Sequence, residues 1–163
     1  MSKLKKFLLA FVVLFVGIQL VTPEENISTA PSANHISNVF HTPEEVHAVL
    51  KTSCYDCHSN NTVYPWYNRI QPVAWWLNHH VNEGKEKLNF DEYAVYNLRR
   101  QYHKMEETEE MIAENEMPLS SYTLIHRNAI LSEQQKQVLT DWTKSIRKEM
   151  ESKYPMDSLI RKK

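Results

Sequence analysis

Hydrophobic residues recur three or four positions apart through most of this chain, and a long apolar run precedes them. The run covers residues 7–21 and is interrupted only by Gly17 and Gln19. Spacings of three and four place apolar side chains on one face of a helix, whereas a half-buried strand would alternate. No stretch of the sequence alternates convincingly in that way. The pattern predicts an all-α fold of four to five helices, preceded by a single N-terminal hydrophobic helix.

Capping signals mark two of the predicted helix starts. Thr42 stands where an N-cap is needed, with Pro43 at the first helical position and Glu45 three residues after the cap. Ser132 opens a similar segment before apolar residues at helical spacing. We therefore expect one helix to run from Thr42 into the first cysteine, and a last helix to run from Ser132 to about Ile146.

Proline and glycine divide the segment between these two helices. Pro72 is suited to open a helix, and Gly84 is suited to end it. A further helical region is expected over residues 89–115. Met117 and Pro118 then break the pattern and begin a short linker, because proline does not continue a helix.

The N-terminal apolar run has the flanks of an export segment. Lys3, Lys5 and Lys6 precede it, as in a signal peptide or a membrane anchor whose N-terminus is cytoplasmic. No small-residue cleavage site follows the run, so an uncleaved anchor is favoured over a cleaved signal. We expect the rest of the chain to face the periplasm at a bacterial inner membrane, or to be periplasmic if the signal is cleaved.

Changes in composition divide the chain into four predicted parts. Residues 1–21 are the signal-anchor or signal peptide, and residues 22–40 are a polar tether without apolar periodicity. Residues 41–147 are the domain, and residues 148–163 are a charged C-terminal tail that is expected to fray. The formal net charge of −1 gives no electrostatic reason to expect nucleic-acid binding.

The strongest chemical signal is the motif CYDCH, in which Cys54 and Cys57 are the only two cysteines and His58 follows directly. A thioredoxin-type redox pair would need a preceding strand and a βαβ context, which a helical chain does not offer. Structural zinc needs four ligands, usually from a second pair at similar spacing. A disulfide across two residues closes a small loop and contributes little stability.

Covalent haem attachment uses every residue of the motif. The sulfur atoms of Cys54 and Cys57 would form thioethers with the vinyl groups of haem, and His58 would supply the proximal nitrogen to the iron. The export segment agrees, since thioether attachment takes place outside the bacterial cytoplasm. The favoured interpretation is one covalently bound haem c, with a redox or metal-binding CxxC as the alternative.

The second axial position of the iron has two main candidates. Met117 lies in a helix-breaking segment before the last helix, where a loop can bring its sulfur over the far face of the haem. His126 is the second choice for this ligand. The other candidates fall within helical patterns, where a packing role is the simpler explanation: His79, His80, His103, Met105 and Met111.

The order of these features resembles class I cytochromes c, and a closer resemblance exists. The segments CYDCHSNNTVYPWYNRIQPVAWWLNHHVNEGKEKLNF and EMPLSSYTLIHRNAILS, with a last helix that carries a tryptophan, resemble the small haem-binding domain family of Bacteroidetes-type bacteria. The resemblance covers roughly residues 23–146. It implies a single haem c held by Cys54 and Cys57, with His58 as the proximal ligand and Met117 as the distal one.

The expected function is that of a membrane-tethered, periplasmic monohaem c-type cytochrome that carries single electrons. The expected partners are redox proteins not identified by the sequence, and the membrane through the N-terminal helix. No paired carboxylates, nucleophile–base pair or glycine-rich phosphate loop suggests a small-molecule substrate, so we do not expect an enzyme. The alternative is a haem c-based sensor or peroxidase-like enzyme with an open or displaceable sixth ligand.

Overall fold

The computed structural model describes residues 2–160, and helices make up most of that length. The α-helices are α1 (Lys3–Ile18), α2 (Glu44–Ser53), α3 (Tyr55–His58), α4 (Val73–Lys87), α5 (Leu98–Ala113), α6 (Ser120–Thr123), α7 (Glu133–Lys153) and α8 (Met156–Leu159). Short 3₁₀ helices cover Ile36–Asn38, Trp66–Arg69, Phe90–Val95 and Arg127–Ala129. The all-α prediction is confirmed for the described residues. In this part of the chain, α2, α4, α5 and α7 are the helices of ten or more residues that follow α1.

The core of the domain lies between α5 and α7, with α2 packed beside them. Leu139, Trp142, Ile146 and Met150 recur every three or four residues along α7, so they form one buried stripe. The facing residues of α5 are Tyr102, Met105 and Ile112, and those of α2 are Val46, Val49 and Leu50. These three stripes form one hydrophobic cluster, which supports the segment that carries the cysteines.

The capping prediction is confirmed for α7 and is wrong for α2. Ser132 Oγ accepts from the backbone N–H of Gln135 at 3.2 Å, and the side chain of Gln135 accepts from the N–H of Ser132 at 2.9 Å. In α2 the N-cap is Pro43, and Thr42 does not cap the helix. The reason is that the Thr42 hydroxyl donates to the carbonyl of Phe40 instead, at 3.4 Å.

The region predicted as one helix over residues 89–115 consists of two elements. The 3₁₀ helix Phe90–Val95 ends at Tyr96, and α5 begins after Asn97. The break occurs because the side chain of Asn97 accepts from the backbone N–H of Arg100 at 2.9 Å and so caps a new helix.

The N-terminal helix is exposed along most of its length. α1 has no buried residue, and a methyl group added at Gly17 would meet nothing within 4 Å. The sequence places the end of the apolar run at Val21, whereas α1 ends at Ile18. Between residues 2 and 160 there is no helix with both the length and the apolar character needed to cross a membrane.

The segments expected to be a tether and a frayed tail are both packed against the domain. In the tether, Ile36 is fully buried and the amide of Asn26 donates to the carbonyl of Ser59 at 2.9 Å. In the tail, α7 continues to Lys153, and the side chains of Met150 and Leu159 are buried. Apolar residues within these polar segments explain the difference, because burying them outweighs the local polarity. The last three residues, 161–163, lie outside the described residues.

Candidate functional site

The two cysteines lie where α2, α3 and α4 meet. Cys54 is the single residue between α2 and α3, where it caps the end of one helix and the start of the next, and Cys57 lies within α3. The backbone N–H groups of Cys57 and His58 both donate to the carbonyl of Cys54, at 3.1 and 3.0 Å. This single tight turn places both sulfur-bearing residues and the histidine close to one another.

Gly84 allows α4 to approach the motif closely. A Cβ atom on residue 84 would lie 2.6 Å from the carbonyl oxygen of Cys57 and 3.0 Å from its Cβ. Because real Cβ atoms are almost never that close to a backbone oxygen, only glycine fits here without a shift of the chain. Gly84 therefore does not end the helix, as the sequence suggested, but lies inside α4, which continues to Lys87.

The imidazole of His58 is held in one orientation by the chain beyond α4. Its Nδ1 lies 2.8 Å from the carbonyl oxygen of Leu88. A carbonyl can only accept, so Nδ1 carries the hydrogen and Nε2 of the neutral ring keeps its lone pair. Burial lowers the pKa of His58, although the carbonyls of Leu88 and Gly84 act in the opposite direction. The ring is therefore an oriented, neutral nitrogen donor.

Met117 reaches the same region because α5 ends in a left-handed turn. Asn115 has a φ of 59°, a conformation that asparagine tolerates better than most residues. The N–H groups of Glu116 and Met117 then donate back to the carbonyl of Met111, at 2.9 and 3.2 Å. The Nζ of Lys136 donates to the side-chain oxygen of Asn115 at 2.7 Å, which ties the turn to α7.

Cys54, Cys57, His58 and Met117 line one cleft, which we call the central cleft. It consists of two adjoining cavities of about 930 Å³ each. Both cavities share Cys54, His58 and Met117 on their walls, and Cys57 lines the second one. The wall of the first cavity is mainly hydrophobic, with Leu88, Phe90, Met111, Ile112, Leu131 and Leu139. The structure therefore brings all four residues singled out from the sequence together.

Two lysines add positive charge to the central cleft. Lys87 and Lys104 both line its wall, together with Glu107. The ammonium group of Lys104 forms an ion pair with Glu107, and the Lys104 side chain is largely shielded from solvent. The positive charge of Lys104 also contributes to the lowered pKa of His58. The cleft thus combines an apolar interior with cationic groups on its wall.

His126, the second choice for the distal ligand, lies in a different cavity. Its Nε2 is 2.9 Å from the hydroxyl of Tyr67, and its ring stacks on Tyr122 with centroids 4.3 Å apart. These residues line a pocket of about 670 Å³, which we call the aromatic pocket and which also includes Tyr64 and Trp76. Met117 is not part of its lining. His126 does not line the central cleft, although Cys57 and Tyr122 line both the aromatic pocket and the second cavity of the cleft.

The remaining histidine and methionine candidates have other contacts. His79 and His103 form ion-pair contacts with glutamates of their own helices, at 3.3 Å to Glu83 and 3.5 Å to Glu106. His80 bonds to the carbonyl of Trp76 at 3.1 Å. Met105 is fully buried in the core. Met111 lines the central cleft, as Met117 does.

The thiols have properties that differ from those of a redox pair. Both cysteines are free, and burial raises the pKa of Cys54 to about 12 and that of Cys57 to about 11. Reactive cysteines in dithiol redox motifs have a lowered pKa. A structural zinc site needs four ligands. Between residues 2 and 160, no group of three or more His, Cys, Asp or Glu side chains is placed to hold a metal ion.

An all-helical domain with two free cysteines, an oriented histidine and a largely apolar cleft has the features of a haem protein. Residues 13–145 match the model of a family described as a haem-binding domain. Because this match covers most of the chain, the protein belongs to that haem-binding domain family. No curated protein matches the sequence, and no solved structure matches it.

The residues of the central cleft fit a haem group. A planar, mostly apolar macrocycle fits between apolar walls, and a histidine nitrogen with a free lone pair is a common ligand of its iron. The cleft supplies both, through Leu88, Phe90 and Ile112 on the walls and through Nε2 of His58. His58 also donates a hydrogen bond to the carbonyl of Leu88, and a bond of this kind orients a histidine that ligates a metal.

Two features of the site were missed by the analysis of the sequence. The carbonyl of Leu88 has no side-chain signature, so its bond to His58 could only be found in the folded chain. Gly84 could have been found, because the chain has only two glycines and the other lies in the N-terminal helix. A glycine so placed within a helical pattern indicates close packing as well as a helix end.

Proposed function

We propose that this protein is a monohaem c-type cytochrome that carries single electrons. The observation that carries the proposal is that Cys54, His58 and Met117 line one largely apolar cleft. The family match supports haem binding, and the CxxCH sequence supports covalent attachment. A bound haem iron would supply one-electron chemistry by alternating between its ferrous and ferric states.

Cys54 and Cys57 would hold the haem covalently. Each thiol would add across one vinyl group, so that sulfur bonds to one vinyl carbon and the thiol hydrogen goes to the other. No oxidant is needed, since the addition neither gains nor loses electrons. Cys54 and Cys57 lie in one turn of the chain against α4, and this turn keeps both sulfur atoms near the same edge of the cleft.

His58 and Met117 would occupy the two axial positions. His58 offers Nε2, because its Nδ1 donates to Leu88. Met117 offers a thioether sulfur from the turn after α5. A methionine opposite a histidine raises the reduction potential of a haem, and the apolar wall limits access of water. Lys87 would contribute positive charge toward the two carboxylates that a haem group carries, whereas Lys104 is already paired with Glu107.

An electron carrier needs both axial positions filled, and this distinguishes it from a sensor or a peroxidase-like enzyme. If His58 and Met117 both hold the iron, an external ligand would have to displace one of them. Mass spectrometry of the purified, denatured protein tests the covalent part of the proposal. We expect the mass of the chain plus one haem, and the mass of the bare chain alone would contradict it.

We also propose that α1 holds the protein at a bacterial inner membrane with the domain in the periplasm. The support is the row of exposed apolar side chains on α1 and the three lysines before it. Fractionation of cells that express the full chain tests this location. We expect the intact chain in the membrane fraction, and an intact chain found only in the cytoplasm would contradict the proposal.

The redox partners would be other proteins that meet the exposed edge of the cleft. The second cavity of the central cleft includes Glu83, Gly84 and Lys87 on α4. An electron carrier works by transient contact, so we expect fast, salt-dependent electron exchange with a small redox protein. Exchange that is slow at every salt concentration would contradict a carrier role while leaving haem binding intact.

A further inference from the structure

Five exposed large apolar side chains lie within residues 66–76, a segment bonded to the chain at the end of α1. We call this group the tryptophan face; it consists of Trp66, Ile70, Val73, Trp75 and Trp76. Trp66 is 77% exposed and Trp76 is 44% exposed, which is unusual for the largest apolar side chain. Three of the four tryptophans of the chain thus lie within residues 66–76, and all three are exposed.

Hydrogen bonds fix the tryptophan face to the chain that leaves α1. The side chain of Gln19 accepts from the backbone N–H of Gln71 at 2.8 Å and donates to its carbonyl at 3.3 Å. The indole N–H of Trp75 donates to the carbonyl of Val21 at 2.7 Å. These three bonds place the start of α4 directly beside the end of the N-terminal helix.

The position of α1 determines how deep the tryptophan face would lie relative to a membrane. α1 has no buried residue, and its C-terminal end is bonded to the domain through Gln19. If α1 is inserted in a bilayer, its domain-side end lies at the bilayer surface, and the tryptophan face lies at the same level. Tryptophan is enriched at that depth, because its ring is apolar while its N–H needs a polar partner.

We propose that the tryptophan face lies on the phospholipid surface and orients the haem domain on the membrane. The proposal rests on the membrane location proposed above, and it adds a second contact with lipid. The tryptophan face would bind at the depth where the phospholipid headgroups meet the acyl chains. Arg69 is also exposed in this segment and supplies a positive charge for lipid phosphate. With α1 and this face both fixed, the central cleft keeps a constant orientation toward the periplasm.

The test uses the full-length protein with its haem, reconstituted into phosphatidylcholine vesicles. The vesicles contain a phosphatidylcholine whose photoactivatable diazirine lies near the headgroup end of one acyl chain. After illumination, labelled peptides are identified by mass spectrometry. We expect several-fold more label in residues 66–76 than in the peptide that contains Val95, an exposed apolar residue outside the face.

Each outcome of this labelling experiment decides the proposal. Label on α1 alone would overturn it while leaving the membrane anchor intact. Protein that does not float with the vesicles would overturn the anchor and the tryptophan face together. Chemical crosslinks that join residues 66–76 of two copies, without lipid label, would assign the face to a dimer interface and overturn the proposal.

A matched pair of variants gives a second readout. Linear dichroism of the haem in oriented phosphatidylcholine bilayers reports how firmly the domain is oriented. We expect Trp66→Ser with Trp76→Ser to lower the dichroism several-fold, while Val95→Ser leaves it unchanged. Circular dichroism confirms folding of both variants, and equal haem dichroism in both would contradict the proposal.

Discussion

The central cleft and the aromatic pocket share Cys57 and Tyr122 on their walls, and each contains a histidine considered as an iron ligand. In the central cleft, His58 uses Nδ1 to donate to a backbone carbonyl and keeps Nε2 as a lone-pair donor. In the aromatic pocket, the Nε2 of His126 is bonded to the hydroxyl of Tyr67, and the ring is stacked on Tyr122. The same type of side chain is therefore an available ligand in the central cleft and a packing group in the aromatic pocket.

This difference shows that the hydrogen bonds of a histidine decide its role more than its place in the sequence does. His126 follows Met117 closely and falls in the segment that could have crossed over the haem. Its neighbours are Tyr67 and Tyr122, and the latter donates to the carboxylate of Asp56 at 2.6 Å. The aromatic pocket therefore holds Asp56 of the motif in place, while the central cleft carries the proposed chemistry.

The largest expected effect follows from removing both cysteines. Cys54→Ala with Cys57→Ala should abolish covalent haem, because no other sulfur in the chain is a thiol. The measurement is haem staining of a denaturing gel, with Thr52→Ala, on a half-buried position nearby, as the control. Haem-stained protein in the double variant would show that attachment does not use the motif.

The comparison of the two histidines is tested by replacing each with alanine. His58→Ala should remove the low-spin spectrum, because the iron would lose its proximal ligand. His126→Ala should leave the spectrum unchanged and lower the free energy of unfolding by about 1 kcal/mol, through loss of a hydrogen bond. Absorption and electron paramagnetic resonance spectra measure the difference. A spectral change in His126→Ala as large as that in His58→Ala would break the distinction.

Met117 and Met111 form a matched pair on the wall of the central cleft. Met117→Leu should leave the haem attached but lower its reduction potential, since a thioether ligand raises that potential. Met111→Leu should change the potential little, because a leucine of similar volume restores the apolar wall. Spectroelectrochemical titration measures both variants. Equal potentials in the wild type and in Met117→Leu would exclude Met117 as an iron ligand.

The two glycines of the chain provide a sharper test of packing. Gly84→Ala should lower the free energy of unfolding by about 1–3 kcal/mol, because the new Cβ would overlap the Cys57 carbonyl. Gly17→Ala, where the added methyl meets nothing within 4 Å, should cause no loss. Chemical denaturation measures both, and equal stabilities would argue against the close contact between α4 and the motif.

The smallest expected effect lies in the aromatic pocket. Tyr122→Phe removes the hydroxyl that donates to Asp56, so the free energy of unfolding should fall by about 1 kcal/mol. The haem spectrum should not change, since Tyr122 is not an iron ligand. Tyr154→Phe, at an exposed position, is the control for stability. A loss of low-spin haem in Tyr122→Phe would show that the pocket does more than support the motif.

Much of the fold could be predicted because its signals are local. The apolar spacing along α7 and the capping box at Ser132 each depend on residues within a few positions of one another. The start of α2 was misplaced because the Thr42 hydroxyl bonds to Phe40, a competition that spacing alone does not reveal. The packed tether and C-terminal segment depend on contacts with distant residues, such as the bond from Asn26 to Ser59.

The residues of the site also differ in whether their signals are local or distant in the sequence. Cys54, Cys57 and His58 are adjacent in sequence, so their motif could be read directly. Met117 was chosen because it lies in a helix break, and the structure places it on the same cleft. The partner of His58, the carbonyl of Leu88, lies 30 residues away and carries no side-chain signal. Long-range backbone contacts of this kind need the folded chain.

The central claim is that His58 and Met117 fill both axial positions of the iron. The most direct test is the absorption spectrum of the wild-type protein, recorded oxidised, reduced, and reduced under carbon monoxide. Our account predicts low-spin iron with a weak far-red Met–Fe band in the oxidised state, and a reduced spectrum that carbon monoxide leaves unchanged. High-spin iron that binds carbon monoxide readily would contradict the electron-carrier assignment and favour a sensor or peroxidase-like enzyme.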